Sequence, residues 1–274
     1  MATTYQSVVE DAAALAGLDL ANLSAREVTF FNRAIAKRLR FCWDWFWWPP
    51  AMLIEQRYFR PEYNPATTYA QGAEVVYNYA YYRLDVTTST GNLPTDTTKW
   101  SALPDLDFYL PLAQDGETVI GTVKAVWTAH PVTGYASKLA FEITTRGIEF
   151  PQSQEMVPSI WVEFKTVLPS YTAEPYAGRA YAVGEQVLGL GTPLGYEGDF
   201  YACISAAAAA ESPISAPAKW SKLVFPDYLA PAAAQGAYVD WLRSERRPQE
   251  AQSEEEMMYM ALGRQRDNYP AARR

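Results

Sequence analysis

Two stretches of this chain repeat one another in order. Tyr69, Gly72, Val75, Tyr82, Pro94, Lys99, Trp100, Ser101 and Leu103 recur as Tyr181, Gly184, Val187, Tyr201, Pro213, Lys219, Trp220, Ser221 and Leu223. The offset is 112 residues in the first block and 119 to 120 in the rest, so one seven-residue hairpin extension around 190–196 accounts for most of the difference. A repeat that keeps both tryptophans narrows the fold sharply, because each copy must be one supersecondary unit with the same buried positions. Tyr69, Val75 and Trp100, and again Tyr181, Val187 and Trp220, are expected to fill two miniature cores, since aromatic side chains supply most of the apolar area in so small a module.

Between the copies, residues 118–128, 139–145 and 159–167 alternate apolar and polar side chains with many β-branched ones, the pattern of half-buried strands. Helical patterns stand on either side of this β-rich stretch. Ser24 and Glu27 make an S-x-x-E capping box, and Val28, Phe31, Ile35, Leu39, Cys42 and Phe46 then fall on one helical stripe that must stop at Pro49 and Pro50. A shorter helix is predicted over 5–16, with Gly17 as its stop. Towards the other terminus, Asp227 is placed to cap a helix running to 245. Pro248 opens a last helix over 249–268, with acidic residues early and Arg264 and Arg266 late, the order the helix dipole favours.

These readings give an α+β fold class: a helical bundle formed from both termini, 1–53 and 227–274, with a large inserted all-β region over 54–226. Within the insertion the two related small β modules take 63–104 and 176–224, and a β-sandwich-like part takes 105–170.

The chemistry available is narrow. A chain of 274 residues with 49% apolar and 14% aromatic residues has ample material for a core and is no disordered chain. Its net charge of −8, of which −7 falls on residues 49–226, is the wrong sign for binding duplex nucleic acid. Cys42 and Cys203 have no nearby cysteine partner and read as reduced apolar fillers. The single histidine, His130, precedes Pro131 in a turn, so neither a catalytic triad nor a metal set is built on it, and no metal or cofactor is expected. Gly189, Gly191, Gly195 and Gly198 lack the Lys-Ser/Thr of a phosphate loop and read as hairpin glycines. A glycosidase working with two carboxylates has Asp105, Asp107 and Glu174 to draw on, but their spacing selects none of them. The first residues lack a basic segment, and no apolar run approaches the roughly 18 residues of a membrane span, so neither an export signal nor a membrane address is expected.

The order Tyr-x-x-Gly-x-x-Val, then Tyr, Pro and Trp, resembles the small β-rich chitin-binding modules appended to bacterial chitinases. That resemblance implies a fold of that kind. Of the aromatic platforms on which such modules stack sugar, the first carries over to Tyr63 and, one residue out of register, to Tyr176; at the second stand 83–87 and 202–206. Tyr77, Tyr79 and Tyr81 alternate as an aromatic edge. Tyr63, Tyr79, Tyr81 and Tyr176 are therefore the candidates for a glycan partner.

The helical ends, with a tryptophan-rich exit from Cys42 to Pro49 and the run 237–245 leading into a Glu-rich helix, resemble the head-to-tail connector (adaptor or neck) proteins of tailed bacteriophages. The resemblance covers roughly 90 residues. It implies a structural virion protein and not an enzyme: a homo-oligomeric ring at the head-tail junction, assembled in the host cytoplasm, whose partners are the portal protein and tail or other neck proteins. DNA passes through such a ring without being read. Trp43, Trp45, Trp47, Trp48, Met257, Met258, Leu262, Arg273 and Arg274 are the candidate oligomer or portal interface, and Arg33, Lys37, Arg38 and Arg40 a basic face for an acidic partner. The alternative is a virion accessory protein that binds glycans through its two modules.

Overall fold

Capping residues set the first two helices. Thr4 accepts the Ser7 N–H at 3.0 Å and starts α1 (Tyr5–Leu15), which Gly17 ends at φ +71. The predicted box opens α2 (Ala25–Trp45): Glu27 accepts the Ser24 N–H at 2.7 Å, and Ser24 accepts the Glu27 N–H at 3.3 Å. Phe31, Ile35, Leu39 and Cys42 of the predicted stripe are wholly buried. Near the other terminus a 3-10 turn over Asp227–Leu229 leads into α3 (Ala230–Ser244), and Arg246, at φ +61, and Arg247 turn the chain into α4 (Pro248–Asp267). Asp227 does not cap α3 as expected; its carboxylate accepts the Thr3 N–H at 3.0 Å, tying the start of the chain to the 3-10 turn. The alanines of α3 and Gly236 let it pack against α1, α2 and α4 together, with Arg38 and Met258 side chains filling the space that a Cβ on Gly236 would need.

The computed structural model describes residues 3–19, 22–103, 109–114, 117–151, 159–171, 176–188 and 200–269. The chain divides into two units, residues 1–48 with 168–274, and residues 49–167. Among the described residues, four helices with several small antiparallel sheets make it an α+β protein with a β-rich region.

In the unit of residues 49–167, β1 (Met52–Tyr58) is followed by a small module: β2 (Thr68–Ala70), β3 (Glu74–Tyr77), β4 (Ala80–Leu84), β5 (Thr88–Thr90) and β6 (Trp100–Ala102). Then come β7 (Tyr109–Leu110), β8 (Ile120–Trp127), β9 (Lys138–Leu139), β10 (Glu142–Thr144), β11 (Gly147–Glu149) and β12 (Ser159–Thr166). One sheet has the order β1-β12-β8-β9 and another β10-β11-β7. Ile160, Val162 and Phe164 alternate along β12 into a core shared with Leu110 and Ile148 of the second sheet. The first module is thus a detour between β1 and the rest of its own sheet.

The second module is β13 (Gln186–Leu188), β14 (Phe200–Cys203) and β15 (Trp220–Lys222), and it belongs to the unit that holds the helices. The expected insertion, 54–226, therefore spans both units: 54–167 lies in one and 168–226 in the other. The repeat holds at the level of strand register. Val75 pairs with Tyr82 and Leu84 with Trp100; Val187 pairs with Tyr201 and Cys203 with Trp220. Gly72, at φ +87, donates to the Leu84 carbonyl at 2.8 Å, as Gly184, at φ +90, does to that of Cys203. The aromatic trio recurs as well. Tyr63 stacks on Tyr69 at 5.7 Å with Trp100 edge-on to both, and Tyr176 stacks on Tyr181 at 5.3 Å with Trp220 edge-on to both. The one-residue slip at Tyr176 is absorbed before the trio closes.

Candidate assembly surface

A lattice of charges ties α2, α3 and α4 together beneath the surface. Arg38, 8% exposed in its side chain, donates from Nε and Nη2 to the two carboxylate oxygens of Asp240 at 3.0 and 2.5 Å, and from Nη1 to Glu255 at 3.5 Å. Arg243 donates to the other oxygen of Glu255 at 2.8 Å. Burial works against the Asp240 carboxylate, but the hydrogen bonds and charges of Arg38 and Lys37 overcome it and hold its pKa below the ordinary value. Arg38 thus belongs to the interior and not to the expected basic face.

Outside this lattice lies a concavity of about 800 Å³ along α2, lined by Arg26, Phe30, Arg33, Ala34, Lys37 and Asp240. Phe30 forms part of the wall, held edge-on against Phe31 and Trp241 at 5.6 and 5.3 Å. Lys37 reaches Asp240 at 3.3 Å, whereas Arg26 and Arg33 form no ion pair among the described residues. Of the basic face read from the sequence, Arg33 and Lys37 line this groove. Arg26 and Phe30 were not among those candidates, although the spacing of 26, 30, 33 and 37 places all four on one helical face.

The tryptophan cluster divides. Trp48 is wholly buried, donating its indole N–H to the Cys42 carbonyl at 2.8 Å and stacking on Trp45, and Trp43 is buried as well. Trp45 is half-buried with the Arg266 guanidinium above its ring; only Trp47 turns outward, and it is 36% exposed. The methionine face divides too. Met258 and Leu262 are wholly buried among the helices, while Met257 and Met260 stand about half exposed, at 49% and 48%. Trp43, Trp48, Met258 and Leu262 are thus corrected as interface candidates: their apolar area is already used inside the subunit. Arg273 and Arg274 lie outside the described residues, as do Asp105, Asp107, Glu174, Gly189, Gly191, Gly195 and Gly198.

The sugar candidates are corrected on the same ground. Tyr63 is buried in the first module's core and Tyr176 is half-buried in the second's, its hydroxyl donating to the Ala209 carbonyl. Tyr81 is buried in the core of the β1-β12-β8-β9 sheet, which pushes its hydroxyl up to about 12. Only Tyr79 is open. It is 76% exposed at the tip of the β3–β4 hairpin, where Asn78 and Tyr79 take φ +48 and +60.

The position equivalent to Tyr81 in the second module is Phe200, and it does the corresponding work. Phe200 packs edge-on to Tyr5 at 4.7 Å, within a cluster completed by Tyr171 and Phe225. Each module is thus anchored to its own unit by an aromatic at the same strand position. His130 lies edge-on to Trp161 at 4.6 Å, and its Nδ1 accepts the Val132 N–H at 3.3 Å within its turn. Among the described residues no group of three or more His, Cys, Asp or Glu side chains is placed to hold a metal ion, and no helix is long and apolar enough to cross a membrane. Neither a protein-family model, nor a curated protein, nor a solved structure matches this chain.

Proposed function

We propose that the chain is a non-enzymatic structural virion protein, a head-to-tail connector that forms a ring between portal and tail. The observation that carries this reading is the bundle itself: helices drawn from residues 5–45 and 230–267 pack as one body, with α3 in contact with α1, α2 and α4. That is the arrangement the connector resemblance calls for, with β modules carried between the helices. An acidic stretch over 49–226 suits a ring through which DNA passes, because like charge keeps phosphates from lodging on it. The glycan alternative retains only Tyr79 of its four tyrosines as an open aromatic face.

The test is the mass of the dilute protein by light scattering, alone and after mixing with portal rings from the same source. The connector reading expects a stoichiometric ring of this chain on the portal. A chain that ignores the portal and is retained on chitin overturns it in favour of the glycan reading.

A further inference from the structure

The loop between β8 and β9, residues 128–137, contains no Asp, Glu, Lys or Arg, and its histidine is His130. It displays the two most exposed large apolar side chains among the described residues, Val132 at 84% and Tyr135 at 81%. Hydrogen bonds nevertheless give it a defined shape. Thr128 donates its N–H to the Ser137 carbonyl at 2.9 Å and Ser137 donates its N–H to Thr128 Oγ1 at 3.1 Å, which closes the base. Two turns follow one another above it: the Thr133 N–H donates to the His130 carbonyl at 2.8 Å, and the Ala136 N–H to the Thr133 carbonyl at 3.2 Å. The first turn has a further tie from a side chain. His130 Nδ1 accepts the Val132 N–H at 3.3 Å, as an Asn or Asp oxygen does in an Asx turn, and the imidazole is braced edge-on against Trp161 at 4.6 Å.

We infer that His130 is a proton-operated latch for this loop. An imidazole nitrogen accepts a hydrogen bond only while it carries no proton, so acceptance at Nδ1 places the neutral ring's proton on Nε2. A second proton, on Nδ1, sets a donor against a donor. The Val132 N–H is then released to solvent, and the first turn keeps only its bonds to the His130 carbonyl. The same proton gives the loop its first charge, two residues from Val132 and five from Tyr135. The shape of the tip and its neutrality therefore change together. On β8, β9 and β12 the ionisable side chains are Lys124, Lys138, Glu163 and Lys165. Lys124 pairs with Glu163 at 2.6 Å, Lys138 stands over the ring of Trp127, the cross-strand neighbour of Trp161, and Lys165 is buried four residues along β12 from Trp161. Within the loop the other ionisable group is the Tyr135 hydroxyl. Glu163 is the carboxylate of this set, and variants without the imidazole separate its titration from that of His130. The latch is independent of the connector reading.

The test uses the full chain, labelled with 15N, in NMR from pH 8 to pH 5, the interval in which histidine side chains ordinarily take up a proton. One histidine gives one imidazole to follow. At pH 8 its 15N shifts are expected to show the Nε2–H tautomer, with Nδ1 free to accept. His130→Asn keeps a neutral acceptor for the Val132 N–H, and His130→Ala has none. Circular dichroism at both pH limits checks that the variants fold. The wild-type Val132 amide is expected to exchange with solvent like that of His130→Asn at pH 8 and about fivefold faster than it at pH 5, the change sharing its midpoint with the imidazole. His130→Ala is expected to show the faster ratio at both limits. An Nδ1–H tautomer at pH 8, a Val132 amide that ignores the imidazole midpoint, or an Ala variant that exchanges like the Asn variant overturns the inference. The tautomer and the midpoint are read from the wild type alone, so they decide the matter even where a variant fails to fold.

Discussion

Arg38 and Asp240, 202 positions apart, are joined by two hydrogen bonds at 3.0 and 2.5 Å in a site where their side chains are 8% and 13% exposed. With the Thr3–Asp227 hydrogen bond and the packing of α3 on α1 and α2, this pair joins helices from the two ends of the chain. Replacing Arg38 by Ala takes both short hydrogen bonds from Asp240 and one from Glu255, leaving them the more exposed Lys37 and Arg243, and loss of one partner of a buried pair costs up to about 3–5 kcal/mol. Denaturant unfolding followed by helical circular dichroism is expected to show a loss of that size. Arg38→Met with Asp240→Leu removes both charges and is expected to recover most of it; a double variant no better than Arg38→Ala counts against the pair.

The same pair sets a pH dependence. The folded pKa of Asp240 lies below its unfolded value, so its stabilisation is present above the ordinary carboxylate pKa of about 3.9 and is lost as pH falls through the folded value. Stability of the wild type is expected to fall on the acid side of that value, and Asp240→Asn, less stable at neutral pH, to fall less steeply there. Parallel acid limbs in urea midpoints between pH 6 and about pH 3 would sink this assignment.

Gly147, at φ +128 in β11, is packed so tightly against the Leu110 carbonyl that a Cβ has no room. Gly147→Ala meets both a disfavoured backbone region and a rigid backbone neighbour, and is expected to destabilise the 49–167 unit by about 3 kcal/mol or more. Gly72→Ala isolates the φ term, since at φ +87 nothing lies within reach of its Cβ, and is expected to cost roughly 1 kcal/mol. Equal losses of stability in the two variants would remove the packing argument.

Local signals were legible where local physics decides. The capping box at Ser24, the stop at Gly17 and the repeat's buried Val, Tyr and Trp positions can be read directly, because each depends on neighbours close in the chain. Pairing of β1 with β12 from Met52↔Lys165 to Tyr58↔Ser159 cannot, since nothing in 52–58 names a partner over a hundred residues away. The edge read from Tyr77, Tyr79 and Tyr81 assumes one unbroken strand. Asn78 and Tyr79 turn there instead, without glycine, and Tyr77↔Ala80 closes a hairpin. Tyr77 then packs into the module, Tyr81 enters the neighbouring core and Tyr79 stays outside. Likewise Met257 and Met258 are adjacent in sequence but about 100° apart around α4, so one is exposed and one buried.

Burial pushes the Cys42 thiol up to about 12, beneath a Trp48 indole that donates to its own carbonyl. Cys203 is equally buried, its sulfur 3.1 Å from the Ser205 carbonyl. Because both sulfurs are buried away from the reagent, Ellman's reagent at about pH 8 is expected to react with neither thiol in the native protein and with both after denaturation. Rapid reaction of one equivalent in the native state would show that the site opens.

Trp100 and Trp220 occupy equivalent positions but differ in one hydrogen bond. The Trp220 indole N–H donates to the Glu211 carbonyl at 2.9 Å, whereas the buried Trp100 Nε1 has no partner among the described residues. Truncation of either to Ala removes the largest side chain of its module core, at a cost of about 3–5 kcal/mol. The replacements by Phe separate the two. Trp220→Phe loses packing and orphans a carbonyl, whereas Trp100→Phe also removes an N–H that was buried without compensation, and leaving such a group unmade costs about 1–3 kcal/mol. Trp220→Phe is therefore expected to be the more damaging by about 1–2 kcal/mol in urea unfolding. Equal effects would mean that the indole hydrogen bond contributes nothing to the second module and that the two cores are energetically the same.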